Sequence, residues 1–325
     1  MPLGLQFKKG WARLWAMKSE APCALIYETV HGSQAYGLST PSSDVDKKGV
    51  IVGPKAWYLG FRGGPEQIEK SADHVWFEIR KFMRLAAGAN PTLIEVLWTD
   101  PSFHLVVTKA GERLLGARQM FLSKRVKDSF AGYAVAQLKR IKTHRRWLLS
   151  PPEKEPTRKA FGLPEELLIP RDQMGAAEAL MERGEMQTAD LSPNFLSALA
   201  LEKRYRSARR EWDQYRTWVR ERNPARAELE ARFGYDTKHA MHLVRLLKMA
   251  VEIANTGQVK VKRDDRDELL SIRNGSMSYE ELVDYAERLS LDVHPAAQRS
   301  QLPESPDEEA LDALCVSIVE EVLWP

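Results

Sequence analysis

The stretch His31-Gly32-Ser33-Gln34-Ala35-Tyr36-Gly37, followed by Ser43-Asp44-Val45-Asp46, decides how the first third of this 325-residue chain is read. Upstream of it, Ala24-Leu25-Ile26-Tyr27-Glu28-Thr29-Val30 is apolar and β-branched, which predicts a strand. Gly32 and Ser33 therefore fall where a strand stops and a helix starts. Backbone N–H groups at such a turn point outward and bind phosphate oxygens. Asp44 and Asp46 open a second strand that continues into Val50-Ile51-Val52, and alternation in a strand sends residues i and i+2 to one face. Two carboxylates on one face can share Mg²⁺ or Mn²⁺. An isolated Asp-x-Asp is more readily a surface turn with capping aspartates; the glycine-serine turn ahead of it shifts the reading towards metal ligation.

A pair of metal ions about 3.5–4 Å apart needs more than two acidic ligands, so a third acid is expected on a neighbouring strand. Asp73 and Glu78 flank the strand-like His74-Val75-Trp76-Phe77, and their opposite parity puts them on opposite faces. Glu78, where the strand leaves for a helix, is the favoured ligand; Asp73 is the alternative.

The first third mixes strands and short helices, and from about Leu122 the pattern is helical. This predicts an α+β protein: a head with a mixed sheet over residues 1–120, then a mostly helical domain over 121–325. Expected helices are Glu78 to Ala87, Pro91 to Leu97 behind the capping Asn90, Ser123 to Leu149, about Asn194 to Arg222, and one from Thr237 closed by Gly257. Pro151 to Pro156 reads as an exposed connection. Tyr205, Ala208, Trp212, Tyr215 and Trp218 recur at three and four, a stripe better suited to packing than to base stacking.

A content of 43% hydrophobic and 29% charged residues is that of a soluble globular protein, and Lys8, Lys9 and Arg13 interrupt any leading apolar run. No segment approaches the length of a membrane span, and a cytoplasmic location is expected. Cys23 and Cys315, far apart, argue against a disulfide framework or a cysteine zinc site and are expected in the core. A net charge of +3 says little about nucleic acid. The clusters Lys139 to Arg146 and Lys203 to Arg210 could follow a phosphate backbone or form solvated helix faces.

On the helix from Thr237, Lys238, His242 and Arg245 are four and three apart and share a face, backed by Met241, Val244, Leu247 and Val251. That cationic stripe suits a triphosphate or an RNA phosphate. His239 and His242 have no third ligand nearby in sequence and do not read as a zinc site. Arg80 is a further candidate for triphosphate oxygens.

Gly32-Ser33 followed by Asp44-x-Asp46 resembles the signature of the DNA polymerase beta-like nucleotidyltransferase superfamily. Ser43 to Val50, Phe77 to Phe82, Ala89 to Leu97, Gly234 to Leu247 and Ile272 to Gly275 look like the branch associated with RNA-ligase and RNA-repair loci, which includes phage-encoded relatives. The resemblance implies transfer of a nucleotide from an NTP to an acceptor hydroxyl, with pyrophosphate released and RNA or tRNA as acceptor. Gly32, Ser33, Lys238, His242, Arg245 and Arg80 would then bind the nucleotide, and Asp44, Asp46 and Glu78, with Asp73 in reserve, would form the catalytic centre. Alternatives are transfer to a protein or small molecule, or a non-catalytic RNA-binding partner of an RNA ligase.

Overall fold

A computed structural model describes residues 23–41, 43–169, 171–183 and 192–325. The N-terminal stretch with Lys8, Lys9 and Arg13 lies outside the described residues. The fold is α+β. Its sheet has five strands, β1 (Ala24–His31), β2 (Asp46–Val52), β3 (Gln67–Ser71), β4 (His74–Glu78) and β5 (His104–Val107), in the order β3-β4-β2-β1-β5. Strand β2 runs antiparallel to β1, with His31 opposite Asp46, and parallel to β4, with Lys47 beside His74 and Ile51 beside Glu78.

Alternation explains which side of the sheet is filled. Tyr27 and Val50, rung partners on one face, are fully buried, and Tyr27 Oη donates to the Val96 carbonyl at 2.9 Å. Each such side chain contributes roughly 1.5–3 kcal/mol by leaving water. On the other face Glu28 accepts hydrogen bonds from His74 Nε2 and Trp76 Nε1, both at 2.6 Å. These contacts cross β2 at Gly49, where a Cβ would come within 2.7 Å of the Trp76 ring.

The one-turn helix α1 (Ser33–Tyr36) follows β1, and α2 (Ala56–Leu59) follows β2. Helix α3 (Ile79–Ala87) grows directly from β4, capped by Glu78, and α4 (Pro91–Leu97) starts behind Asn90, whose side chain accepts from the Leu93 N–H. Next come α5 (Lys109–Gly116) and the long α6 (Arg125–Leu149). The chain forms two compact units, one of residues up to Ile141 together with Thr237–Pro325, the other Lys142–Asp236. A division at residue 120 thus does not describe the contacts, because α10 (Thr237–Thr256), α11 (Arg266–Arg273), α12 (Tyr279–Arg299) and α13 (Glu308–Leu323) belong to the unit that holds the sheet.

The second unit contains α7 (Arg171–Glu182), α8 (Pro193–Glu221) and α9 (Pro224–Phe233). The aromatic stripe lies on α8, half-buried, with Tyr215 and Trp218 packed 5.7 and 5.5 Å from Trp147. Its basic residues are partly neutralised within the unit: Arg146 pairs with Glu211 at 2.5 Å, and Arg209 with Glu155 and Asp213. Among the described residues no helix is long and apolar enough to cross a membrane. Cys23 and Cys315 are only partly buried rather than in the core.

Candidate active site at the glycine-serine turn

Gly32 stands at φ +69°, a conformation that costs a residue with a Cβ and not a glycine. A Cβ there would also fall 2.2 Å from Asp46 Oδ2. The carboxylate of Asp46 is therefore seated against the bare backbone of the turn. The rung pairing of His31 with Asp46 brings this about, since it sets the first residue of β2 beside the last of β1. Asp44, two residues earlier, is exposed and precedes β2, so strand alternation does not set it on the face of Asp46 as the sequence suggested. Behind the turn, α1 is closed by Gly37 at φ +72° and by the Leu38 N–H donating to the Ser33 carbonyl at 2.8 Å.

The turn rests on a buried polar cluster. Tyr36 Oη donates to Glu95 Oε2 at 2.5 Å, His31 Nε2 lies 3.4 Å from the same oxygen, and Arg245 pairs with Glu95 Oε1. The Arg245 guanidinium also lies 3.9 Å over the Tyr36 ring. Burial alone would raise the Glu95 carboxyl; Arg245, then His31 and Tyr36, override it and hold the pKa down at about 2. Burial, then the charges of Arg245, Lys238 and His239, push His242 down to about 3, so its imidazole is neutral at physiological pH.

These placements revise the cationic stripe. Lys238, His242 and Arg245 do share a face of α10, but His242 carries no charge, and Arg245 is buried against Glu95, where it holds Tyr36 rather than meeting solvent. The loop after α1 is strapped by other arginines. The main-chain N–H of Arg263 donates to the Tyr36 carbonyl at 3.1 Å, and two guanidinium groups add to it, Arg266 Nε donating to the Gly37 carbonyl at 2.7 Å and Arg273 Nη1 to the Leu38 carbonyl at 3.3 Å. Nothing local in the sequence announces these bonds, although Arg273 lies in the Ile272 to Gly275 segment singled out above.

Glu78 and Arg80 are not brought to Asp46. Because β4 runs parallel to β2, Glu78 sits on the Ile51 rung, five residues or ~16 Å along the sheet from Asp46, and with opposite parity. Its carboxylate is occupied: it accepts from Tyr58 Oη at 2.9 Å and from the Arg80 N–H and Nε at 3.1 Å, capping α3. This takes Glu78 out of reach of a metal held by Asp46, and Arg80 with it. Asp73 lies at the correct end, its carbonyl accepting from the Lys47 N–H at 2.7 Å, and its side chain is exposed.

Among the described residues no three His, Cys, Asp or Glu side chains are grouped closely enough to hold a metal by themselves. The Asp46 carboxylate, seated at the turn, nevertheless suits a hard divalent cation of the Mg²⁺ kind, with Asp44, the carboxylate nearest to it in sequence, as a second. Such an ion is commonly held by one or two carboxylates and takes its remaining oxygens from phosphates and water.

Residues 8–159 match the family described as the RNA repair pathway DNA polymerase beta family. Over 90 residues the chain is 31% identical to the uncharacterized protein YcgL of Bacillus subtilis (strain 168), covering 26% of this chain and 35% of that protein. Over 88 residues it is 31% identical to an uncharacterized 38.9 kDa protein of the nrdC-mobD intergenic region of Enterobacteria phage T4, covering 23% and 26%. The matches thus span about a third or less of these relatives. No solved structure gave a significant match.

Proposed function

We propose, from the match of residues 8–159 to the RNA repair pathway DNA polymerase beta family, that the protein transfers an NMP from an NTP to a hydroxyl of RNA or tRNA and releases pyrophosphate. The observation that carries this reading is the seat of the Asp46 carboxylate against Gly32, which puts an acidic ligand in contact with the turn proposed to hold phosphate. The first-turn N–H groups of α1, which have no partner within a helix, face the β- and γ-phosphates, with the Ser33 hydroxyl beside them. Asp44 and Asp46 hold the divalent ion, which when bound neutralises phosphate charge and acidifies the attacking hydroxyl. The acceptor oxygen bonds to the α-phosphorus, the bond to the bridging oxygen breaks, and the two terminal phosphates leave together. Alignment and charge account for most of the acceleration. The buried cluster of His31, Tyr36, Glu95 and Arg245 keeps the turn in one geometry, and neutral His242 adds no positive charge.

The test is incubation with each α-labelled NTP, Mg²⁺ or Mn²⁺, and a pool of tRNA and broken RNA. Label should enter RNA, and Asp44→Asn or Asp46→Asn should reduce it by at least ~10²–10³-fold with the fold intact. Label on protein instead would establish protein nucleotidylation. Salt-sensitive RNA binding with no turnover of any NTP would replace the enzyme with a binding protein.

A further inference from the structure

After β2 the chain forms a loop that is fastened on both sides. Gly53 and Gly64 both lie against the Trp57 indole, where a Cβ at either would come within 2.0 and 2.1 Å of the ring. Tyr58 Oη accepts from the Gly53 N–H at 3.1 Å and donates to Glu78, while Arg80 stacks on the Tyr58 ring at 4.5 Å. Between these anchors the loop holds Leu59 73% exposed and Phe61 95% exposed. Large apolar side chains held rigidly in water gain nothing for the fold and lose little freedom on docking.

Beside the loop runs a groove of about 440 Å³ between α3 and α13, with Met83, Ala87 and Leu311 among its apolar lining. One wall carries Arg80 and Arg84, the other Asp312. Arg80 belongs to both features, so loop and groove are contiguous on one face.

We propose that this face binds a second copy of the chain about a twofold axis, Leu59 and Phe61 of each protomer seating in the groove of the other. Two observations single out a second copy. Projection and recess adjoin on the same surface, as an isologous contact requires. The charges also complement: Arg62, beside Phe61 at the tip, meets the acidic wall, and the arginine wall offers cations to the phenyl ring. The contact lies at the end of the sheet away from Asp46 and stands independently of the catalytic reading.

Analytical ultracentrifugation of the full chain, up to about 100 µM, should give twice the chain mass of 37.0 kDa. Phe61→Asp, at a position without packing to lose, should weaken association by at least about 25-fold, the loss typical of a central aromatic anchor. Ala87→Trp, which fills the groove, should do the same with an unchanged circular dichroism spectrum. Leu291→Asp, at an equally exposed apolar position on α12, should leave the mass unchanged. A monomeric wild type, or a dimer indifferent to Phe61→Asp, overturns the proposal.

Discussion

Replacing Arg245 by Met removes the one cation from a cluster that holds a carboxylate 1% exposed. Breaking a buried pair by deleting one partner leaves the other uncompensated, at a cost of ~3–5 kcal/mol, equivalent to a melting point lower by on the order of 10 °C in a unit of this size. The pH dependence distinguishes this from loss of packing. In the wild type the Glu95 carboxyl is held at about 2 against an ordinary 4.5. Being depressed, it stabilises the fold by about 3 kcal/mol above pH 4.5, and that contribution disappears as pH falls from 4.5 towards 2. Without Arg245, burial takes over and raises the pKa, so the variant gains stability on taking up a proton. The deficit of Arg245→Met should therefore be largest at pH 7 and above and should shrink steadily towards pH 4, read by urea unfolding across that range. The double variant Glu95→Gln with Arg245→Met should recover most of it. A deficit under about 1 kcal/mol, or one constant from pH 7.5 to 4.5, would refute the assignment of Arg245 to Glu95.

Gly32→Ala should abolish transfer while destabilising the protein by about 1–3 kcal/mol, because the new Cβ both strains the turn and displaces Asp46; retained activity in the labelling assay would contradict that seat. Glu78→Gln should cost about 1–2 kcal/mol in chemical denaturation, through the cap and the Tyr58 bond, yet keep activity within about threefold. Activity as low as that of Asp46→Asn would restore Glu78 to the metal centre. His242 is neutral in the fold and takes up a proton on unfolding below its ordinary 6.5. It therefore costs stability progressively as pH drops from 6.5 to 3, about 2 kcal/mol at pH 5. Melting curves of His242→Gln should be flatter than the wild type over that range, and parallel curves would count against the neutral imidazole.

Strand β2 was legible to the residue because β-branched side chains follow the acidic pair, and α4 because Asn90 and Pro91 mark its start. Glu78 shows where local reading stops. Parity predicted opposite faces for Glu78 and Asp73, yet Asp73 lies in the turn before β4, and parity does not say which way a strand pairs. An antiparallel β4 would have brought Glu78 beside Asp46; the parallel one carries it to the far end. The ion pair of Arg245 and Glu95 spans 150 residues, and only the packing of α10 against the site reveals that this arginine supports the turn instead of facing a ligand. Local reading reached the contact of Gly32 with Asp46, whose partners are close in sequence, while Ser33 and Asp44 remain proposed site residues.

The three arginine straps on the loop after α1 also bear on how the protein is made. Translation delivers the turn and its acidic pair within the first fifty residues, but Arg263, Arg266 and Arg273 emerge more than two hundred residues later. On a ribosome adding roughly 5–20 residues per second, the loop waits ten seconds or more for its fastenings. During that interval the nascent chain carries Asp44 and Asp46 and the local bonds of the turn, such as the Leu38 N–H to the Ser33 carbonyl, but none of the three long-range bonds to the loop behind them. A product ending before Arg263 is thus expected to lack the fastened turn on which the proposed transfer rests.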